Sequence, residues 1–279
     1  MYKNGDRYDI QNYRQISIIC VFAKLLERLV FNKLLPFLHK NKILTEAQNG
    51  FRKGKYTETA VQSFIEIIQE ALDKRIHSIG IFIDLTKAYD TLNHKVLLEK
   101  LSSCGIRGIT NSCFKSYLTN RKQCIEINQS DSSNAMVRRY RSSCKEMKQG
   151  VPQGSVLGPL LFLLYINDLP LNTHGTNLVI FTDDINVLIM DRDVCALQRK
   201  IDRVIAELEI CFRRNDHIIN VSKTGVMSFH NRQSKLLVKP QVIFNKFNPE
   251  YITETKFLGI YITETLNNKV EFQCTVISK

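Results

Sequence analysis

The chain has 279 residues, 39 of them Lys or Arg against 27 Asp or Glu, for a formal net charge of +12. Hydrophobic residues make up 44% of it, enough to bury a sizeable core, which excludes wholesale disorder. The opening residues lack the apolar stretch of a signal peptide, and the longest strongly apolar run, 158–166, is far below the ~18–20 residues of a membrane span. An intracellular chain is therefore expected, without a membrane partner.

In chain order, Val21 to Leu35 carries apolar residues at 22, 25, 26, 29, 30 and 34, a helical period, with Pro36 placed to kink or stop it. Thr57 is placed to cap a second helix with Ala60, Val61, Phe64, Ile65, Ile68 and Leu72 on one face. Ser78 to Asp84 alternates as a strand, with Ile79, Ile81 and Ile83 on one face and Gly80, Phe82 and Asp84 on the other. Leu92 to Leu101 is again helical, with Gly105 as a stop signal, and a shorter helix near Ile109 to Leu118 leads into a basic strand region around Cys124 to Asn128. Gly150 to Ser155 is a turn, and Ser155 is suited to cap the apolar helix that runs to about Asp168. Leu178 to Met190 is a hairpin with Asp183 and Asp184 at its tip, and Asp193 to Arg214 is an amphipathic helix. Ile218 to Phe229 and Lys256 to Ile262 are expected as strands and hairpins. Without a regular βαβ alternation, the pattern implies an α+β fold, an antiparallel sheet with helices on one face.

Half of the net charge is concentrated in one stretch: between Arg107 and Lys148 nine basic residues stand against three acidic ones. Arg52, Lys53 and Lys55 form a second cluster. Clustered Lys and Arg favour a polyanionic partner, because each phosphate contacted releases counterions. The eight cysteines include no Cys-x-x-Cys pair and no zinc spacing, and are expected to be reduced thiols in the core.

Two adjacent carboxylates ~4 Å apart repel by about 4 kcal/mol at an effective dielectric of 20. A partly buried Asp183-Asp184 pair therefore calls for a cation, and Asp84 at the end of an apolar strand would add a third carboxylate. Three aspartates on neighbouring strand ends suit hard divalent metals such as Mg2+.

With these features the sequence resembles the reverse transcriptase domain of non-LTR (LINE-type, jockey-like) retrotransposons, from about Gly5 to Ile262. Asn12-Tyr-Arg-Gln-Ile-Ser17 and Gly50-Phe-Arg-Lys-Gly54 are similar to the family's fingers motifs. Phe82-Ile-Asp-Leu-Thr-Lys-Ala-Tyr-Asp90 resembles motif A, Gln149-Gly-Val-Pro-Gln-Gly-Ser-Val-Leu-Gly-Pro-Leu-Leu-Phe162 motif B, and Phe181-Thr-Asp-Asp184 motif C. Asn220-Val-Ser-Lys-Thr-Gly-Val-Met227 and Phe257-Leu-Gly-Ile260 resemble motifs D and E. The resemblance implies a polymerase palm with fingers at 1–75 and palm at 76–265, including a fingers-like basic segment around 107–148. A truncated tail would follow at 266–279, the thumb being largely missing. It implies RNA-directed DNA polymerase activity, with RNA template, DNA primer and deoxynucleoside triphosphates as partners and two Mg2+ ions (Mn2+ as substitute), in nucleus or cytoplasm. Asp84, Asp183 and Asp184 would be the catalytic metal ligands, Leu85 would add a backbone carbonyl, and Tyr89 would exclude ribonucleotides. Gln153 and Gly154 would shape the nucleotide pocket, Arg52 would contact triphosphate, and Lys223 would donate a proton to pyrophosphate. Asp90 and Asp168 are expected in structural roles. Gln15, Cys113, Thr182 and Gly225 depart from the family pattern. The alternative reading is a catalytically inactive nucleic-acid-binding remnant.

Overall fold

The computed structural model describes residues 6, 9, 12–13, 15–50, 52, 54–131, 134–170, 176–231, 239–244 and 247–266. Arg14, Phe51, Lys53 and all of the expected tail except Leu266 lie outside them. Helix α1 (Val21–Lys40) is followed by α2 (Thr57–Asp73), strand β1 (His77–Asp84), α3 (His94–Ser103) and α4 (Gly108–Leu118). A ribbon of short strands follows: β2 (Lys122–Gln123), β3 (Glu126–Asp131), β4 (Asn134–Arg141) and β5 (Lys145–Glu146). Next come α5 (Gly158–Ile166), β6 (Asn177–Phe181), β7 (Asp184–Asp191), α6 (Val194–Arg214) and a 3-10 turn at Val221–Lys223. The last strands are β8 (Gly225–Phe229), β9 (Glu250–Tyr251), β10 (Glu254–Phe257) and β11 (Ile260–Thr263).

The central sheet has the order β6-β7-β1-β8-β9, antiparallel except for the short parallel β8-β9 pairing. β1 lies in the middle, buried on both faces because its side chains alternate between two cores. Ile79, Ile81 and Ile83 join the larger core with Leu97 and Leu101 of α3, Leu160 to Ile166 of α5, and Leu197, Ile201, Val204 and Leu208 of α6. Phe82 faces the other way with Leu188, Met227 and Phe229, where Ala60, Val61, Phe64 and Ile68 of α2 and Phe257 and Ile262 cover the sheet. The main helical layer is thus on one face, and α2 with the β10-β11 hairpin adds a second layer opposite. α2, expected within the fingers segment, packs directly on the palm-like sheet.

Several local expectations are modified by tertiary contacts. Pro36 neither stops α1 nor ends its packing: the helix continues to Lys40, held by buried Leu34 and Leu38. The apolar stripe at its start is not buried, Phe22 being 78% and Leu26 64% exposed. On α2 Thr57 is the first helical residue rather than the cap: the N-cap is Tyr56, whose amide donates to Thr59 Oγ1 at 3.0 Å. At α5 the N-cap position is Leu157, and Ser155 supports the helix start from two residues earlier, its Oγ accepting the Gly158 amide at 2.9 Å. The cysteines are mostly not core thiols: of those described only Cys211 is buried, while Cys20, Cys113, Cys144 and Cys195 are exposed.

The one buried carboxylate of α1 explains how that helix is anchored. Glu27 is 3% exposed. Its Oε1 accepts the Tyr117 hydroxyl at 2.9 Å, and its Oε2 accepts the Val156 amide at 2.6 Å, just ahead of α5. Burial and the Glu27 charge push the Tyr117 hydroxyl up to about 12, so it remains a donor. Glu27→Ala would strand these donors, and is expected to lower unfolding free energy by about 2 kcal/mol, whereas Glu27→Gln, which keeps an acceptor, costs roughly half as much. Equal losses in chemical denaturation would show that the hydrogen bonds do not matter.

Candidate active site

The site is built where β1 ends and β7 begins. The β1-β7 register pairs Asp84 directly with Asp184, and the β6-β7 register pairs Phe181 with Asp184. The two-residue turn Thr182-Asp183 therefore presents Asp183 beside the Asp84-Asp184 pair. Thr182 has φ 57, the left-handed region that a β-branched residue rarely adopts, at a turn position usually given to glycine. Its hydroxyl donates to Asp183 Oδ1 at 2.7 Å. Gln48, fully buried, steadies the turn from outside: its Oε1 accepts the amides of Gly50 at 2.8 Å and Thr182 at 3.4 Å.

Asp84 is held from the motif D side. Asn220 donates its side-chain amide to Asp84 Oδ2 and its backbone amide to Asp84 O, both at 2.8 Å. Lys223 Nζ stands 3.6 Å from the same carboxylate. Leu85 bridges to Ile219, and the bonds of that bridge use the Asp84 carbonyl and the Thr86 amide rather than the Leu85 carbonyl. Burial, reinforced by the Asp183 and Asp84 charges and opposed by Lys223, pushes the Asp184 carboxyl up to about 6. Burial is the larger cause, and the neighbouring carboxylate charges add to it. Among the described residues no three His, Cys, Asp or Glu side chains are grouped closely enough, as they stand, to hold a metal ion.

Motif B docks on motif A through its backbone. The Gly150 amide donates to Leu92 O at 2.7 Å and the Val151 amide to Tyr89 O at 2.8 Å. A Cβ on Gly150 would come within 2.6 Å of the Asp90 carbonyl oxygen, and φ 82 also demands glycine there. Tyr89 is thereby fixed with its ring stacked on Phe162, centroids 4.7 Å apart. Burial, and then the Asp183 charge, raises its hydroxyl pKa. Gln153 donates its side-chain amide to Asp90 Oδ1 at 2.9 Å, giving Asp90 its structural role, and Gly154 turns the chain with φ 99. Asp168 likewise is structural, paired with Lys100 at 2.6 Å.

Among the described residues Arg52 makes no contact with this cluster. Its guanidinium is used locally, donating to Thr45 O at 2.6 Å and to Glu46 Oε1 at 3.0 Å, with its side chain 11% exposed. Two positioning residues escaped sequence reasoning: Asn220, whose only signal was its place at the start of motif D, and Gln48, which carried none.

The reverse transcriptase (RNA-dependent DNA polymerase) family model matches residues 2–262. The chain is 27% identical over 271 residues to the RNA-directed DNA polymerase from mobile element jockey of Drosophila melanogaster, covering 95% of this chain and 28% of that protein. It is 34% identical over 160 residues to the probable RNA-directed DNA polymerase from transposon BS of the same organism, covering 57% of this chain and 16% of that protein. It thus spans less than a third of the length of these curated relatives. Among solved structures, apo telomerase from Candida tropicalis superposes with a TM-score of 0.52 at 14% identity, covering 89% of this chain and 41% of that one, a likeness of fold. No helix among the described residues is long and apolar enough to cross a membrane. With a family match that takes in nearly the whole chain, and relatives that are non-LTR retrotransposon polymerases, the chain belongs to the reverse transcriptase family.

Proposed function

We propose that this chain is the polymerase module of a non-LTR retrotransposon, extending a DNA primer on an RNA template inside the cell, in the nucleus or cytoplasm. The single observation that carries this reading is the direct pairing of Asp84 with Asp184 across β1-β7, with Asp183 in the adjoining turn. An all-oxygen donor set, with the Asp184 carboxyl pushed up by burial and by the Asp183 and Asp84 charges, fits a hard divalent cation. Asp84, Asp183 and Asp184 would hold two Mg2+ ions, Mn2+ substituting, with the Leu85 carbonyl as an added donor. Bound there, the ions would supply activation of the primer 3′-hydroxyl and charge neutralisation at the leaving pyrophosphate.

The protein's own groups do the positioning. Asn220 fixes one oxygen of Asp84, leaving the carboxylate oriented for a cation. Lys223, with its side chain 67% exposed, is free to swing from Asp84 toward a leaving pyrophosphate and give it a proton. Gln153 and Gly154 shape the nucleotide pocket; Gln153 would exchange its bond to Asp90 for one to the incoming nucleotide. For Arg52 to contact triphosphate, it would have to leave Glu46. Residues 1–75 would act as fingers and 76–265 as palm, although α2 already packs on the palm sheet.

The test is primer extension on an RNA template with deoxynucleotides and Mg2+ or Mn2+. Templated products support the reading; salt-dependent RNA binding without extension supports the inactive remnant instead. Within an active chain Tyr89 carries a separate prediction. Its ring, clamped on Phe162, would block a 2′-hydroxyl by bulk. Tyr89→Ala is expected to raise ribonucleotide incorporation relative to deoxynucleotide by roughly 10- to 100-fold, and Tyr89→Phe to leave it unchanged. An equal rise in both variants would assign selectivity to the hydroxyl.

A further inference from the structure

The neck of the basic ribbon holds a second cluster of reactive side chains, separate from the aspartates. β2 and β5 pair Lys122 with Glu146 and Gln123 with Lys145, and the Met147 amide donates to Arg121 O at 2.7 Å. The ladder ends there; continued by one residue it opposes Cys124 to Cys144, whose thiol reaches the Cys124 side chain. Beyond them β3 and β4 pair Glu126 with Arg141, the extra residue being absorbed where the Ser142 amide donates to Ile125 O and the Ile125 amide to Ser142 Oγ, both at 2.9 Å. Since Arg121 and Met147 form a hydrogen-bonded pair, alternation makes Cys124 and Cys144 a non-hydrogen-bonded pair. Such pairs bring Cα atoms to ~4.5 Å, inside the ~4.4–6.8 Å span of disulfides. Both thiols are free, Cys144 exposed and Cys124 partly so. Arg141 Nε donates to Cys124 Sγ at 2.9 Å. The Arg141 hydrogen bond, helped by one from Cys144 and by the Arg141 charge, lowers the Cys124 thiol pKa, burial and Glu126 opposing. That favours the nucleophilic thiolate.

We propose that Cys124 and Cys144 are a reversible dithiol-disulfide pair that locks the neck of the β3-β4 hairpin when a low-molecular-weight disulfide such as glutathione disulfide is in excess. Cys124, as thiolate, attacks one glutathione sulfur and releases one glutathione thiolate. Cys144, losing its proton, then attacks the Cys124 sulfur and the second glutathione leaves. The two protein thiols are oxidised, glutathione disulfide is reduced to two glutathione molecules, and these take up the two thiol protons. Closure ties together the strands that lead to Arg138, Arg139 and Arg141, and removes the thiolate from Arg141, leaving its Nε–H for another acceptor.

The whole chain is equilibrated across glutathione disulfide-to-glutathione ratios, alkylated, digested and mapped by mass spectrometry. The expected product is a Cys124–Cys144 linked peptide lacking two hydrogens and restored by dithiothreitol, while exposed Cys20, Cys113 and Cys195 form at most separate glutathione adducts. Cys124→Ser and Cys144→Ser should each lose the link and leave the remaining cysteine as a glutathione adduct. Arg141→Gln should slow Cys124 alkylation several-fold at neutral pH. Separate adducts on Cys124 and Cys144 in the unaltered chain, links to other cysteines, or two unmodified thiols while Cys20 or Cys113 reacts would overturn the proposal.

Discussion

Asp183→Asn is expected to reduce RNA-templated primer extension by on the order of 10³-fold, with no loss of fold. Asparagine keeps the volume and an acceptor for the Thr182 hydroxyl, which stands 2.7 Å from Asp183 Oδ1, so the strained turn at Thr182 survives. What disappears is one of three charges that a divalent cation would balance, an interaction of several kcal/mol in polymerase chemistry, and each 1.36 kcal/mol is tenfold in rate. In the free protein burial, and then the Asp183 and Asp84 charges, pushes the Asp184 carboxyl up to about 6, so the negative charges there work against one another. Removing one should therefore leave the melting temperature unchanged or higher. That pairing of outcomes separates catalysis from stability: lost extension with lost stability would mean a damaged turn. Extension within tenfold of the unaltered chain would remove Asp183 from the catalytic set. Asp84→Asn should behave alike in rate, but it replaces an acceptor for Asn220 and loosens the motif D contact as well.

Local pattern was enough for the elements that deliver these aspartates. The alternation that sorts Ile79, Ile81 and Ile83 from Phe82 and Asp84 is the alternation of the two cores, and the steps of three and four in α6 put Leu197, Ile201, Val204 and Leu208 inside. Three-dimensional closure was not legible. The stripe at the start of α1 looks like a core face by period, yet its first turns lie open, because the contact that seats the helix is one carboxylate, Glu27, reaching across 129 residues to the Val156 amide. Asn220 is hidden for the same reason: nothing in its neighbours says that its amide meets Asp84 across 136 residues. The cysteines were misjudged because a small sulfur residue carries no period of its own, and Cys124 and Cys144 fall at the end of a two-stranded pairing, the first partly exposed and the second exposed. Arg52 shows the converse: a basic residue in a family-like string is engaged by Glu46 and backbone carbonyls of its own loop.

His217 is expected to make the fold acid-sensitive between pH 6.5 and 4. It sits behind the motif A-motif B junction, 9% exposed, edge-on to Tyr165 at 5.2 Å with Phe162 and Phe212 around it, and its Nε2 has no hydrogen-bond partner among the described residues. Burial first, and then the Lys100 charge, lower its pKa from 6.5 to about 4, against the pull of Asp168 and Asp216. The folded chain therefore takes up its proton less readily than the unfolded chain. The stability tied to neutral His217 is whole above pH 6.5 and is lost as pH falls toward 4, by on the order of 3 kcal/mol at 1.36 kcal/mol per pKa unit. Asp184 works in the opposite sense: its pKa rises from 3.8 to about 6, so its crowding penalty is present above pH 6 and relieved as pH falls through the same window. That group is only partly buried, so screening cuts its relief to roughly 1–2 kcal/mol, and the His217 loss dominates. His217→Phe keeps an aromatic body in the cluster and removes the titration. Its unfolding free energy relative to the unaltered chain should gain about 3 kcal/mol between pH 7.5 and 4, measured by urea denaturation at each pH. Parallel pH profiles for the two chains would show that His217 can be protonated where it stands.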